Sequence, residues 1–282
     1  MMSMQGKVII SAALTGAVTP KDANEHIPLT PAEIAVDAYR CWQAGAAVVH
    51  LHMRDDQGLG TMDPAKFAET IERIRTHKDC DVVINCTTSG DSRADDAARL
   101  QHVRTLDGIE IASYDSGSFN WMPGGVFANS PKFLADLGET LIARGIKPEI
   151  EIFDSGMLGI AEYFLGEDKL KAPLHYQFCL GVLGAMPATV ENLLYLQSKI
   201  VPGSTWSAFG VGKAHLPILF ATLALGGHVR VGLEDNTYFA RRVKATNVQL
   251  VERAARVIRL FGKEPASPAE AREILGLKPL VR

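Results

Sequence analysis

Short apolar stretches rich in Val and Ile recur along the chain, spaced roughly 30 residues apart and bounded by glycine or polar clusters. They fall at 8–14, 46–54, 81–88, 108–113, 147–153, 175–181, 205–211 and 228–233. Each is close to continuously apolar rather than alternating, the pattern of strands covered on both faces. The segments between them carry helical spacing. Thr30-Pro31-Ala32-Glu33 opens the clearest, with a Thr N-cap, Pro at the first helical position and an acidic first turn. It runs through Ile34, Ala38 and Cys41 and stops at Gly45. Asp63-Pro64 opens another and Ser130-Pro131 a third. Thr237 is expected to start a long helix ending near Gly262, and 263–282 read as a short appended helix and tail.

Eight strand-then-helix units imply a parallel sheet covered by helices. The expected fold is therefore α/β, a single (β/α)8 TIM barrel over 1–282 with a short C-terminal helical extension. An open doubly wound sheet is the alternative. It would bring a glycine-rich dinucleotide turn after the first strand, and Leu14-Thr15-Gly16-Ala17 is not GxGxxG. At 282 residues the core needs no disulfide staples. Cys41, Cys80, Cys86 and Cys179 form no CxxC pair, which suits buried, reduced thiols in a cytoplasmic protein. With 29 basic and 32 acidic residues the net charge is −3, which argues against a nucleic-acid protein with a wholly basic surface. The apolar run 217–225 is far short of the roughly 20 residues of a membrane span. The start, MMSMQGKVII, shows no small-residue cleavage site. The expected partners are small molecules, with neither nucleic acid nor membrane.

Active sites of (β/α)8 barrels lie at the C-terminal ends of the strands, so those ends locate the chemistry. The second reads His50-Leu51-His52-Met53-Arg54-Asp55-Asp56, the third Thr87-Thr88-Ser89-Gly90 and the fourth Ser113-Tyr114-Asp115. The fifth carries Glu149 and Glu151, and the eighth reads Arg230-Val231-Gly232-Leu233-Glu234-Asp235-Asn236. His50 and His52 are two apart on a strand, so both rings face the same way and form a ready pair of metal ligands. Glu234 is the best third ligand. Two His and one Glu leave an open position on a tetrahedral ion, the pattern of catalytic zinc, although a redox iron accepts the same set. An ion pair with Arg230 is the plainer reading of Glu234. Asp235 is expected to point away from Glu234 by strand alternation and to act as a general base, with Arg230 orienting it or binding a substrate carboxylate. Asp235-Asn236-Thr237 read equally well as a cap of the last helix. Glu149 and Glu151 share a face and need partners, one of which Arg230 could be; Glu151 lies nearer the site end. Gly210-Val211-Gly212-Lys213 follows the seventh strand, where barrels often bind phosphate, and makes a phosphate-bearing ligand plausible.

ValHisLeuHisMetArgAspAsp (49–56), GluIleGluIlePheAspSerGly (149–156) and GlyGlyHisValArgValGlyLeuGluAspAsn (226–236) resemble the β-keto acid cleavage enzyme family, from the first strand to the last helix. The resemblance implies a (β/α)8 barrel, usually a homotetramer. It implies Zn2+ held by His50, His52 and Glu234, and acetyl-CoA as co-substrate. A β-keto acid and acetyl-CoA would become acetoacetate and a new acyl-CoA, without a covalent acyl-enzyme. Asp235 would be the base, assisted by Arg230, with Ser89 (or Thr87 or Thr88) and Glu151 completing the polar site. Thr15, Ser113 and Asn120 would line the substrate, and Gly212 and Lys213 would contact CoA. Members acting on amino-substituted substrates carry an acid just after the first ThrGly turn. Here Val18 stands at that place, which implies a neutral or apolar substrate tail. Two other functions compete: a zinc hydrolase on the same barrel, and a metabolite-binding barrel that turns nothing over.

Overall fold

Eight parallel strands hydrogen-bond in chain order into a closed ring in the computed structural model, which describes residues 6–280. They are β1 (Ile10–Ala13), β2 (Val48–Leu51), β3 (Val83–Cys86), β4 (Ile111–Asp115), β5 (Lys147–Ile152), β6 (His175–Leu180), β7 (Thr205–Gly210) and β8 (His228–Val231). Nearly every strand residue is buried, because the sheet is covered on both faces. The fold is the expected (β/α)8 barrel. By contact density the chain forms two compact units, one holding the residues up to Glu110 and those from Val229, the other Ile111–His228.

The helices are α1 (Pro31–Gln43), α2 (Pro64–Thr76), α3 (Asp96–Thr105), α4 (Pro131–Arg144), α5 (Gly156–Gly166), α6 (Val190–Gln197), α7 (His215–Ala224), α8 (Asn247–Leu260) and α9 (Pro268–Leu275). Three start where capping chemistry places them. Thr30 and Glu33 form a capping box on α1, the Asp63 carboxylate accepts from the Ala65 N–H on α2, and Ser130 accepts from Phe133 on α4. The appended helix is α9, capped by Ser267 and Glu270.

The long helix expected from Thr237 begins ten residues later, at Asn247, with Thr246 and Gln249 as its capping box. Residues Tyr238–Ala240 and Val243–Lys244 instead pair as an antiparallel hairpin, turning at Arg242 with φ 62°. No Gly or Pro interrupts 237–246; the local signal that does mark the start is Thr246 followed three residues later by Gln249. The eighth strand is also shorter than expected, ending at Val231.

All four cysteines are buried. No helix among the described residues is long and apolar enough to cross a membrane. The reading of the N-terminus rests partly on residues 1–5, and that of the tail on 281–282; both lie outside the described residues.

Candidate active site

β2 carries His50, and His52 follows directly after its end at Leu51; their ring centroids lie 5.0 Å apart, as the two-residue period of an extended chain leads one to expect. Glu234 meets both. Its Oε1 lies 3.7 Å from His50 Nε2 and 3.4 Å from His52 Nε2, and one candidate ligand atom from each of the three lies within 4.8 Å of the others. His50 Nδ1, His52 Nδ1 and Glu234 Oε2 are buried and have no hydrogen-bond partner. Buried polar atoms are ordinarily satisfied, and an unpartnered Glu234 Oε2 beside two imidazoles fits a bound cation. Burial pushes the His50 imidazole down to about 3 against the pull of Glu234, which keeps it in the neutral form a metal needs. Burial opposes ionisation of Glu234, but His52, Arg230 and His50 outweigh it and hold the carboxyl well below its usual range. Two imidazoles and one carboxylate are a donor set for zinc or another borderline ion.

Asp235 departs from expectation. Alternation was to turn it away from Glu234, yet both carboxylates face Arg230. The chain leaves extended geometry after Val231 and makes a turn in which the Asp235 and Asn236 N–H groups donate to Gly232 O. Period-two reasoning therefore ends before the two acids. Gly232 permits the turn: a Cβ there would sit 1.9 Å from Ala13 O. Arg230 forks onto Asp235, with Nε to Oδ2 and Nη2 to Oδ1 both at 3.0 Å, and its Nη2 also reaches Glu234 Oε1 at 2.5 Å. Burial raises Asp235 to about 6, Arg230 opposing and Glu234 adding to the rise. Asp235, Asn236 and Thr237 do not cap α8, and the plain ion pair of Glu234 with Arg230 is present alongside the histidines.

Sequence reasoning missed Arg54. Its buried guanidinium donates to four backbone carbonyls, those of Gly16 (2.7 Å), Gly58 (2.8 Å), Thr19 (2.9 Å) and Thr15 (3.4 Å). It thereby pins the loop after β1. An Arg directly after HxH is visible in the sequence, but its carbonyl partners are not. The Thr15 hydroxyl donates to Pro28 O at 2.8 Å, and Val18 is 58% exposed on the same loop. Thr87 and Thr88 are buried, and Thr87 Oγ1 accepts from the Ser89 N–H; Ser89 itself is half-buried.

Within the unit Ile111–His228, the Ser113 hydroxyl donates to Glu151 Oε1 at 2.7 Å and the Cys179 thiol reaches Glu151 Oε2 at 3.5 Å. Cys179 gave no sequence signal. Glu149 lies 3.8 Å from His175 Nε2. Asn120 is exposed on the hairpin Phe119–Trp121/Gly125–Phe127. Gly212 and Lys213 are exposed in a 3-10 turn, Gly212–Ala214, that leads into α7.

The profile of the beta-keto acid cleavage enzyme family matches residues 7–277. The 3-keto-5-aminohexanoate cleavage enzyme of Fusobacterium nucleatum is 40% identical over 98% of this chain and all of its own length. The 3-dehydrocarnitine:acetyl-CoA trimethylamine transferase of Rhizobium meliloti is 34% identical over 98% of each chain. Among solved structures, a ternary complex of ObcA with a C4-CoA adduct and oxalate superposes with a TM-score of 0.78 at 21% identity, over 89% of this chain and 68% of that one, which is a likeness of fold. Together the full-length profile match and these relatives place the chain in the beta-keto acid cleavage enzyme family.

Proposed function

We propose that this chain is a zinc-dependent β-keto acid cleavage enzyme that converts a β-keto acid and acetyl-CoA into acetoacetate and a new acyl-CoA. The observation that carries the reading is the meeting of His50, His52 and Glu234, whose buried Oε2 has no partner, beside the Arg230–Asp235 fork. Family membership and a relative named as an acetyl-CoA transferase support the β-keto acid and acetyl-CoA chemistry.

His50, His52 and Glu234 would hold the zinc, which when bound supplies Lewis-acid polarisation of a carbonyl oxygen. Arg230 fixes the plane of the Asp235 carboxylate through two parallel bonds. Each carboxylate oxygen keeps a further lone pair, and from there Asp235 takes the proton from the carbon next to the keto group. The carbon nucleophile so formed attacks the acetyl thioester and expels CoA thiolate. The thiolate adds to the original keto carbon, and the bond between that carbon and the α-carbon breaks to release the new acyl-CoA. The carbanion left behind takes back the proton from Asp235 as acetoacetate. Ser89, with Thr87 and Thr88 beside it, and the Ser113–Glu151 pair present polar groups to the substrate. Thr15 and Asn120 are its outer contacts, and Gly212 and Lys213 are assigned to CoA. We treat the 282 residues as one functional domain and the assembly as a homotetramer, which light scattering will read directly.

The substrate tail is neutral or apolar. The two relatives are named for an amino and a trimethylamine group, whereas Val18, exposed on the loop that Arg54 pins, has no charge to pair with a cation. Val18→Glu should create activity toward amino-substituted β-keto acids; a variant with no such gain removes Val18 from the specificity assignment.

The deciding experiment measures zinc content and screens β-keto acids with acetyl-CoA for acetoacetate. We expect CoA-dependent turnover, lost by at least ~100-fold in Asp235→Asn and lost together with zinc in His50→Ala. Hydrolysis without CoA would replace this reading with a zinc hydrolase. Metal uptake without turnover of any panel member would replace it with a binding barrel. Full activity in both variants would overturn the mechanism.

A further inference from the structure

His50 lies on β2 and Glu234 in the turn after β8, and one buried side chain links the backbones that carry them. Asn247 is the first residue of α8 and is fully buried. Its Oδ1 accepts from the Leu233 N–H at 2.7 Å, directly before Glu234. Its Nδ2 donates to Leu14 O at 2.8 Å and to Asp37 Oδ2 at 2.6 Å. Leu14 in turn donates its N–H to His50 O at 3.4 Å, and the Glu234 N–H donates to Ala13 O at 3.2 Å. A continuous hydrogen-bonded path thus runs from the His50 backbone through Leu14, Asn247 and Leu233 to Glu234. It touches neither the ligand atoms nor the Arg230–Asp235 fork.

We infer that Asn247 is a positioning residue for the metal centre, setting the separation of Glu234 from His50, with Asp37 holding its amide in the required orientation. The chemistry demands an amide. One end must accept from Leu233 while the other donates twice, and no other side chain of that size does both. Asparagine at the start of a helix is otherwise read as a capping residue. Here Thr246 already caps α8, so the Asn247 side chain is free to face inward. Support of this kind around metal ligands commonly changes affinity by ~10–100-fold when removed.

The inference rests on the metal reading above, and its test separates the two. Zinc affinity is measured by chelator competition on wild type, His50→Ala, Asn247→Asp, Asn247→Ser and the double variant Asp37→Asn/Asn247→Asp. Circular dichroism and melting of each metal-free protein report folding. Asn247→Asp loses both donations yet adds negative charge on the Glu234 side. Charge alone would tighten a cation, whereas lost positioning loosens it. We expect folded Asn247→Asp and Asn247→Ser to bind zinc at least ~10-fold more weakly than wild type. The double variant exchanges the acid and the amide but still leaves Leu14 O without a donor, so it should remain about as weak as Asn247→Asp; recovery to wild-type affinity would remove the Leu14 link from the inference. The gap in melting temperature between loaded and metal-free protein should shrink in parallel. Folded Asn247 variants that bind zinc as tightly as wild type, or more tightly, overturn the inference while leaving the metal site intact. A folded wild type that binds no more zinc than His50→Ala overturns the metal reading, and this inference with it.

Discussion

Gly16 has φ +66°, and a Cβ built on it would stand 2.8 Å from Glu234 Cγ. Its carbonyl is the closest of the four that Arg54 holds. Gly16→Ala therefore meets two costs. Left-handed backbone with a side chain costs roughly 1–2 kcal/mol, and the added methyl displaces Glu234 from the histidines. We expect a loss of stability of that size in denaturant titration together with weakened zinc binding; an unchanged zinc affinity would show that Glu234 tolerates the shift. At this scale the sequence was informative about identity and poor about direction. His50 and His52 were legible because both sit where period two holds. Glu234 and Asp235 were legible as acids, but their shared orientation toward Arg230 was not, since the strand ends at Val231 and the following turn obeys no period. Arg54 was visible as a letter only: its role lies in carbonyls of residues 15, 16, 19 and 58, which carry no side-chain signature.

Elements whose start is announced by a short-range bond were placed well. Thr30 with Pro31 and Glu33, Asp63 with Pro64, and Ser130 with Pro131 all begin helices because the cap chemistry acts over three residues and needs no partner from elsewhere. Thr237 shows the limit. It resembles a cap, but the segment after it pairs into the 238–244 hairpin. Asn24, fully buried, ties that hairpin's ends down by donating to Thr237 O at 2.9 Å and Ala245 O at 2.8 Å. The contrast is measurable. Thr246→Ala should cost about 1 kcal/mol of unfolding free energy, the usual worth of an N-cap, whereas Thr237→Ala should stay within about 0.5 kcal/mol. Equal effects would mean that the helix starts elsewhere in solution.

For the molecule as a whole, pH dependence follows from two histidines distant in sequence from the proposed metal ligands. Burial pushes His102 down to about 4, and burial with the charges of His228 and Lys147 pushes His175 down to about 3. Both are neutral when folded. Above the unfolded value near 6.5 neither state binds the proton, and the histidines leave stability unchanged. Below it the unfolded chain protonates first, so stability falls by about 1.4 kcal/mol per pH unit per histidine. The His102 share of that loss levels off as pH passes its folded value. Melting temperature should therefore drop between pH 6.5 and 4. His102→Phe, which keeps the stacking on Phe67 at 4.4 Å, should lessen the slope. An unchanged slope in that variant would remove His102 from the account.

The eight barrel strands, their parallel order, three of the four named helix starts and the residue types of the candidate donor set were readable from the amino-acid order, because periodicity, capping and burial act over a few residues. Packing in space settled the rest. Asn247 reaches Leu14 across 233 residues of chain, Asn24 reaches Ala245 across 221, and Arg54 reaches Gly16 across 38. Bonds of that span depend on how the folded chain returns to itself, and no local pattern encodes where a distant carbonyl will lie.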